Sequence, residues 1–208
     1  MSLLNLFKLS YSQVRVPRKL TLLLLLAFLG SLLNPSSIES HPAQHEFGSV
    51  RPFVDNVDKY GRFVNTALQV AIPLLLCDRV GLAQLAVIAI TTTFMTHATK
   101  RLVNDWTING VRLGQRPSSV TSKHNTPSGH SSMAASAVYF LARRYGYALL
   151  LVTVPVLAFT MFSRVALTAH TLSAVLSGAF LGLLMAAMFT SKFEGRQRAT
   201  KGLPVNAI

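Results

Sequence analysis

Three short polar blocks in an otherwise apolar chain carry the residue types that handle phosphate. The first runs Asn109-Gly110-Val111-Arg112-Leu113-Gly114-Gln115-Arg116-Pro117 and the second is Pro127-Ser128-Gly129-His130; in the third, Ser163-Arg164 is followed after five residues by His170. Guanidinium forks take phosphate oxygens two at a time, and a glycine turn entering a helix presents N–H groups to an anion. Two histidines allow one ring to attack phosphorus while the other gives a proton to the departing oxygen. This kit performs phosphoryl transfer with no metal and no cofactor. His41 and His45 share the spacing of a metal pair, but they sit beside a proline in a polar loop and read as solvated side chains.

The composition says what must position these blocks. Of 208 residues, 50% are hydrophobic and 13% charged, against roughly 25% charged in soluble domains. Lys and Arg number 20 against 7 acids, a net charge of +13, which suits nucleic acid, an anionic membrane surface or an anionic substrate. Long apolar runs turn that choice away from nucleic acid and toward the lipid bilayer. The single cysteine, Cys77, excludes an intramolecular disulfide and a Cys-based zinc site. So few acids also argue against a multi-carboxylate metal centre.

Arg15, Arg18 and Lys19 precede the apolar run Leu20 to Leu33, so residues 1–40 read as a signal anchor or signal peptide. The anchor is favoured because no small-x-small cleavage site precedes Ser40. Residues 41–61 form a polar periplasmic loop. Apolar stretches follow at Phe63 to Cys77, Gly81 to Ala98, Tyr147 to Phe162 and Thr171 to Thr190, with an Ala- and Ser-rich span from Ser131 to Leu141. The expectation is an all-α polytopic membrane bundle of about six transmembrane helices, five if the leader is cleaved. Its membrane domain covers 62–192, and a basic cytoplasmic tail covers 193–208. Keeping the N-terminal cations inside puts the three blocks together on the outer face, at the mouths of neighbouring spans.

In that order and on one side, Arg116-Pro117, Pro127-Ser128-Gly129-His130 and Ser163-Arg164 with His170 resemble the three-part signature of the type 2 phosphatidic acid phosphatases. These are membrane lipid phosphatases sharing a core with bacterial acid phosphatases and vanadium haloperoxidases, and the resemblance spans roughly residues 60 to 190. It implies a helical bundle in which His170 is the nucleophile that becomes phosphohistidine and His130 is the general acid. Arg116, Arg164, Ser128 and the Gly129 N–H become ligands of a membrane lipid phosphate substrate. It further implies a hydrolase of the bacterial inner membrane with its site facing the periplasm. The positive charge of Arg112, Arg116, Lys123 and Arg164 leans the reading to lipid A. Undecaprenyl diphosphate, phosphatidylglycerophosphate and phosphatidate are rival substrates; a lipid-to-lipid phosphotransferase and an inactive lipid-phosphate binder are rival functions.

Two positions depart from that signature. The lysine expected seven residues before Arg116 is Asn109; Arg112, one helical turn before Arg116, is expected to replace its charge, with Lys123 second. The aspartate expected four residues after His170, which would orient the imidazole, is Ala174. Asp105 is expected in its place as the acid nearest the site in sequence, ahead of Asp55 and Asp58. Ser173 or a backbone carbonyl is the weaker substitute.

Overall fold

The computed structural model describes residues 2–42 and 44–193. Helices α1 (Leu3–Ser12), α2 (Arg18–Leu33), α3 (Arg51–Lys59), α4 (Val64–Leu75) and α5 (Arg79–Leu102) lead to a small hairpin. Its strands are β1 (Thr107–Ile108) and β2 (Val111–Arg112). Then come α6 (Gly129–Tyr145), α7 (Leu150–Ala166) and α8 (Leu172–Phe189). All six expected apolar segments are helical. Of these helices, α5, α7 with its preceding 3₁₀ turn, and α8 are long and apolar enough to cross a membrane. The others are shorter than the 18 residues of α8: α2 has 16, α4 has 12 and α6 has 17. The amphipathic α3, the helix α1 and the hairpin were not expected from the sequence. The basic tail lies outside the described residues apart from Phe193.

Local chemistry sets the boundaries. The Asp78 carboxylate accepts from Gly81 N–H at 2.9 Å to start α5, and Lys100 and Arg101 occupy its last turn, where cations complement the helix dipole. Ser128 caps α6 and Thr171 caps α8 through side-chain oxygens. At the far end of α6, Gly146 takes a φ of 130° that closes the helix.

The core is built on close backbone approach. Helix α8 lies between α6 and α2, and its α6 side is nearly all small residues: Ala174, Ser177, Gly178 and Gly182. A Cβ on Gly178 or Gly182 would run into the carbonyls of Ser128 or Ser132, so only glycine allows this spacing. On its other side, Leu181, Leu184 and Met185 pack with Leu24, Phe28 and Leu32 of α2. Asn65 of α4, fully buried, donates its Nδ2 to Ala134 O of α6 at 3.1 Å and to Thr153 O of α7 at 2.9 Å. Outward, Leu26, Leu74, Phe94, Leu151 and Phe159 are exposed, an apolar surface suited to lipid rather than water.

Candidate active site

Three helix ends and two loops meet at one end of the bundle. The α7 helix stops where Thr168 adopts a left-handed φ of 52°, and the N–H groups of Ala169 and His170 both return to the Arg164 carbonyl at 3.1 Å. That tight turn places Arg164 and His170 side by side. Ser118 N–H donates to Thr168 O at 3.2 Å, drawing the Arg116-Pro117 loop onto the same turn. At the head of α6, Ser128 N–H donates to Ala174 O at 2.8 Å, bringing Gly129 and His130 beside the start of α8.

His170 is buried, with 3% of its surface exposed. Its Nδ1 lies 2.8 Å from the Asn125 carbonyl and 3.2 Å from Asn125 Oδ1. Both partners are acceptors, so Nδ1 carries the proton and donates it, leaving the Nε2 lone pair as the reactive one. Burial, with the charges of Lys100, Arg164 and Arg116, holds this imidazole well below its ordinary value. The ring is therefore neutral and nucleophilic in mildly acidic solution.

Asp105 is thus not the orienting group. Its side chain is 84% exposed, lies 3.9 Å from Arg112 and accepts from Asn104 Nδ2 at 2.7 Å. Ser173 does not orient His170 either, because it exchanges hydrogen bonds with Ser36, each 2.9 Å long. Asn125 does it with a neutral carbonyl in place of a carboxylate. Ala174 itself is fully buried against the head of α6. The Asn125 loop is held by Asn125 N–H to Gly114 O at 3.0 Å and by Nδ2 to Thr171 Oγ1 at 3.1 Å.

The missing lysine has a similar explanation. Asn109 and Gly110, with φ of 51° and 78°, are the two central residues of the β1–β2 turn, the conformation Asn-Gly favours in a two-residue hairpin. A lysine near the site is Lys100, before the hairpin at the end of α5, whose charge acts on Arg116, Arg164 and His170. It is 9% exposed, and its Nζ donates to His124 O at 3.0 Å. Arg112 does not replace it: its guanidinium donates to Ser122 O at 2.6 Å and Val120 O at 3.1 Å, tying down the loop. Lys123 is exposed.

Arg116, through its loop, and Arg164 both border the turn that carries His170. The Nε of each is buried without a hydrogen-bond partner among the described residues. Burial and the Arg164 charge push Arg116 down from its usual value, yet a guanidinium stays charged throughout the working range. Ser128 is fully enclosed, and its Oγ accepts from Ser131 N–H at 3.5 Å as the cap of α6. Its observed role is thus that of a helix cap, with Gly129 opening α6 behind it.

Two further residues join, Asp58 from α3 and Arg62 from the turn before α4. Asp58 accepts a close hydrogen bond from Arg164 Nη1 and one of 3.5 Å from Arg62 Nη1. The same Arg62 Nη1 lies 3.1 Å from His130 Nε2. Arg62 went unnoticed in the sequence because it lies outside the three blocks, at the edge of an apolar run. Among the described residues no group of His, Cys, Asp and Glu is placed to hold a metal ion.

A sequence model of the PAP2 superfamily matches residues 81–198, more than half of the chain. The chain is 50% identical over 134 residues to a lipid A 1-phosphatase of Helicobacter pylori, covering 64% of this chain and 69% of that one. It is 31% identical over 122 residues to a lipid A 4'-phosphatase of the same species, covering 58% and 61%. Among solved structures, a transmembrane PAP2-type phosphatidylglycerolphosphate phosphatase from Bacillus subtilis aligns with a TM-score of 0.54 at 19% identity. That alignment covers 91% of this chain and 98% of that one; at such identity the likeness is one of fold. With its three blocks gathered at one end of the bundle, the chain belongs to the PAP2 superfamily.

Proposed function

We propose that the protein is a membrane lipid phosphatase that removes a phosphate from lipid A, most directly the 1-phosphate, through a phosphohistidine. The observation that carries this reading is the pairing of a neutral His170, its Nε2 left reactive by the Asn125 carbonyl, with unpaired arginine Nε donors beside it. In the first step His170 Nε2 forms a bond to phosphorus while the bond to the sugar oxygen breaks, and His130 gives that oxygen a proton. In the second step His130 takes a proton from water as the water oxygen attacks phosphorus, releasing phosphate and restoring His170. Arg116, Arg164, Lys100 and the Gly129 N–H stabilise the charge that builds on the phosphoryl oxygens.

The lean to the 1-phosphate rests on the 50% identity to a protein of that name, against 31% to a 4'-phosphatase. A location in the inner membrane with the site toward the periplasm is supported by the cations ahead of α2 and by Arg79, Arg143 and Arg144 at the opposite end of the bundle. Packing of α2 against α8 supports its retention as an anchor. The test is phosphate release by the purified protein from a panel of lipid phosphates in detergent, with EDTA present and His170→Ala alongside. Release that survives EDTA and falls below about 10⁻³ of wild type in the variant is expected, as when other enzymes lose a nucleophile. No release from any lipid would overturn the hydrolase reading.

A further inference from the structure

Arg62 lies in none of the three blocks, yet it has the features of a site arginine. Its Nε is buried without a partner among the described residues, a state it shares with Arg116 and Arg164. Its Nη1 reaches both the Asp58 carboxylate and His130 Nε2, and Asp58 in turn holds Arg164. Its position is set from below, because Asn65, three residues on, is clamped to α6 and α7. Its guanidinium also stacks 4.7 Å from the Phe63 ring centroid.

The bond to His130 has a consequence. A guanidinium only donates, so His130 Nε2 must present its lone pair to Arg62. That nitrogen has no proton to give while the bond stands. Resting on the phosphatase reading above, we infer that Arg62 is a third substrate-binding arginine that caps His130 in the free enzyme and transfers to the phosphate when substrate enters. Transfer frees His130 Nε2 to take one proton from solvent, which it then passes to the leaving oxygen. Asp58, bonded to both Arg62 and Arg164, is the positioning residue that keeps the two guanidiniums facing one anion. The site thus arms its acid only when an anion is present. The charged groups around His130 are Asp58 from α3, Arg62 from the turn before α4, Lys100 from α5 and Arg164 from α7.

The test compares wild type with Arg62→Gln and Arg62→Lys as full-length protein in detergent, on lipid A bearing a 1-phosphate. Loss of one charge-assisted donor to phosphate is expected to raise KM roughly ten- to hundredfold in Arg62→Gln. The alkaline limb of its kcat/KM profile, which reports the free enzyme, moves to higher pH, because His130 is no longer capped by a cation. Arg62→Lys keeps the charge but not the fork, and gives an intermediate KM. A KM rise without movement of the limb would overturn the coupling, as would movement of the limb with KM unchanged. Should Arg62→Gln fail to fold, ¹⁵N-histidine spectra of the wild-type protein serve instead. His130 Nε2 is expected to change from a bare acceptor to a protonated nitrogen when inorganic phosphate is added, and no change overturns the inference. Wild type that hydrolyses no lipid defeats the phosphatase reading; active wild type with unaltered Arg62→Gln kinetics defeats this inference alone.

Discussion

At one end of the bundle Arg144 uses all three of its nitrogens, while at the other Arg62, Arg116 and Arg164 each keep a buried Nε with no partner among the described residues. The Arg144 Nε and Nη2 grip the two oxygens of Asp78 at 2.5 and 2.7 Å. Its Nη1 reaches Gln84 Oε1 at 3.2 Å and Ser191 Oγ at 2.9 Å, and Tyr145 donates to the same carboxylate at 2.8 Å. The two side chains of the ion pair are 2% and 4% exposed. Burial raises the Asp78 carboxyl, but its bonds from Arg144, Gly81 N–H and Tyr145 outweigh that and hold it below the ordinary value. About 36 Å separates the ends of α5 at 1.5 Å per residue, and across that length the same residue type changes from lock to receptor. A saturated arginine organises protein; one left short of acceptors is ready for a ligand.

Substitutions should separate the two ends. The largest effect on stability is expected from Asp78→Ala, which leaves Arg144 charged, buried and unpaired, at a cost of about 3–5 kcal/mol. Thermal melting in detergent should fall steeply, while phosphate release per folded molecule stays near wild type. An unchanged melting temperature would break the contrast. Arg164→Ala should do the reverse, lowering kcat/KM about 10²–10³-fold, as for a lost transition-state donor, with little change in melting.

The smallest effect concerns pH. Because His170 is held below its ordinary 6.5, the acid limb of kcat/KM should lie below that value, so activity persists at pH 6. Unfolded His170 takes up a proton near 6.5 while the folded ring does not. Stability therefore declines as pH drops through 6.5 and is regained as pH rises. His170→Ala should flatten that part of the stability profile, measured by melting from pH 5 to 8.

Much of this arrangement is written in short stretches of sequence. The order of the three blocks, the six apolar segments, Ser128 ahead of α6 and the cation-rich ends are local patterns. Helix periodicity and capping depend on neighbours within a turn or two. Two other local signals were also there to be read: Asn109-Gly110 as a hairpin turn, and Gly178 and Gly182, four apart on α8, as a close-packing stripe.

Which side chains fill the two departures was a different kind of question. Asp105 was nearest to the site in sequence but points into solvent, and Asn125 reaches His170 from a loop 45 residues away. Lys100 comes within charge reach of Arg116 and Arg164 although the whole hairpin separates it from Arg116 in the chain. Asp58 and Arg164, 106 residues apart, meet because α3 packs against α7, with the Phe53 ring edge-on to Phe159. The chain's local chemistry chose its helices and its phosphate-handling groups. Packing between distant helices chose their partners, since a hydrogen bond needs atoms within about 3 Å and distance along the chain does not set distance in space.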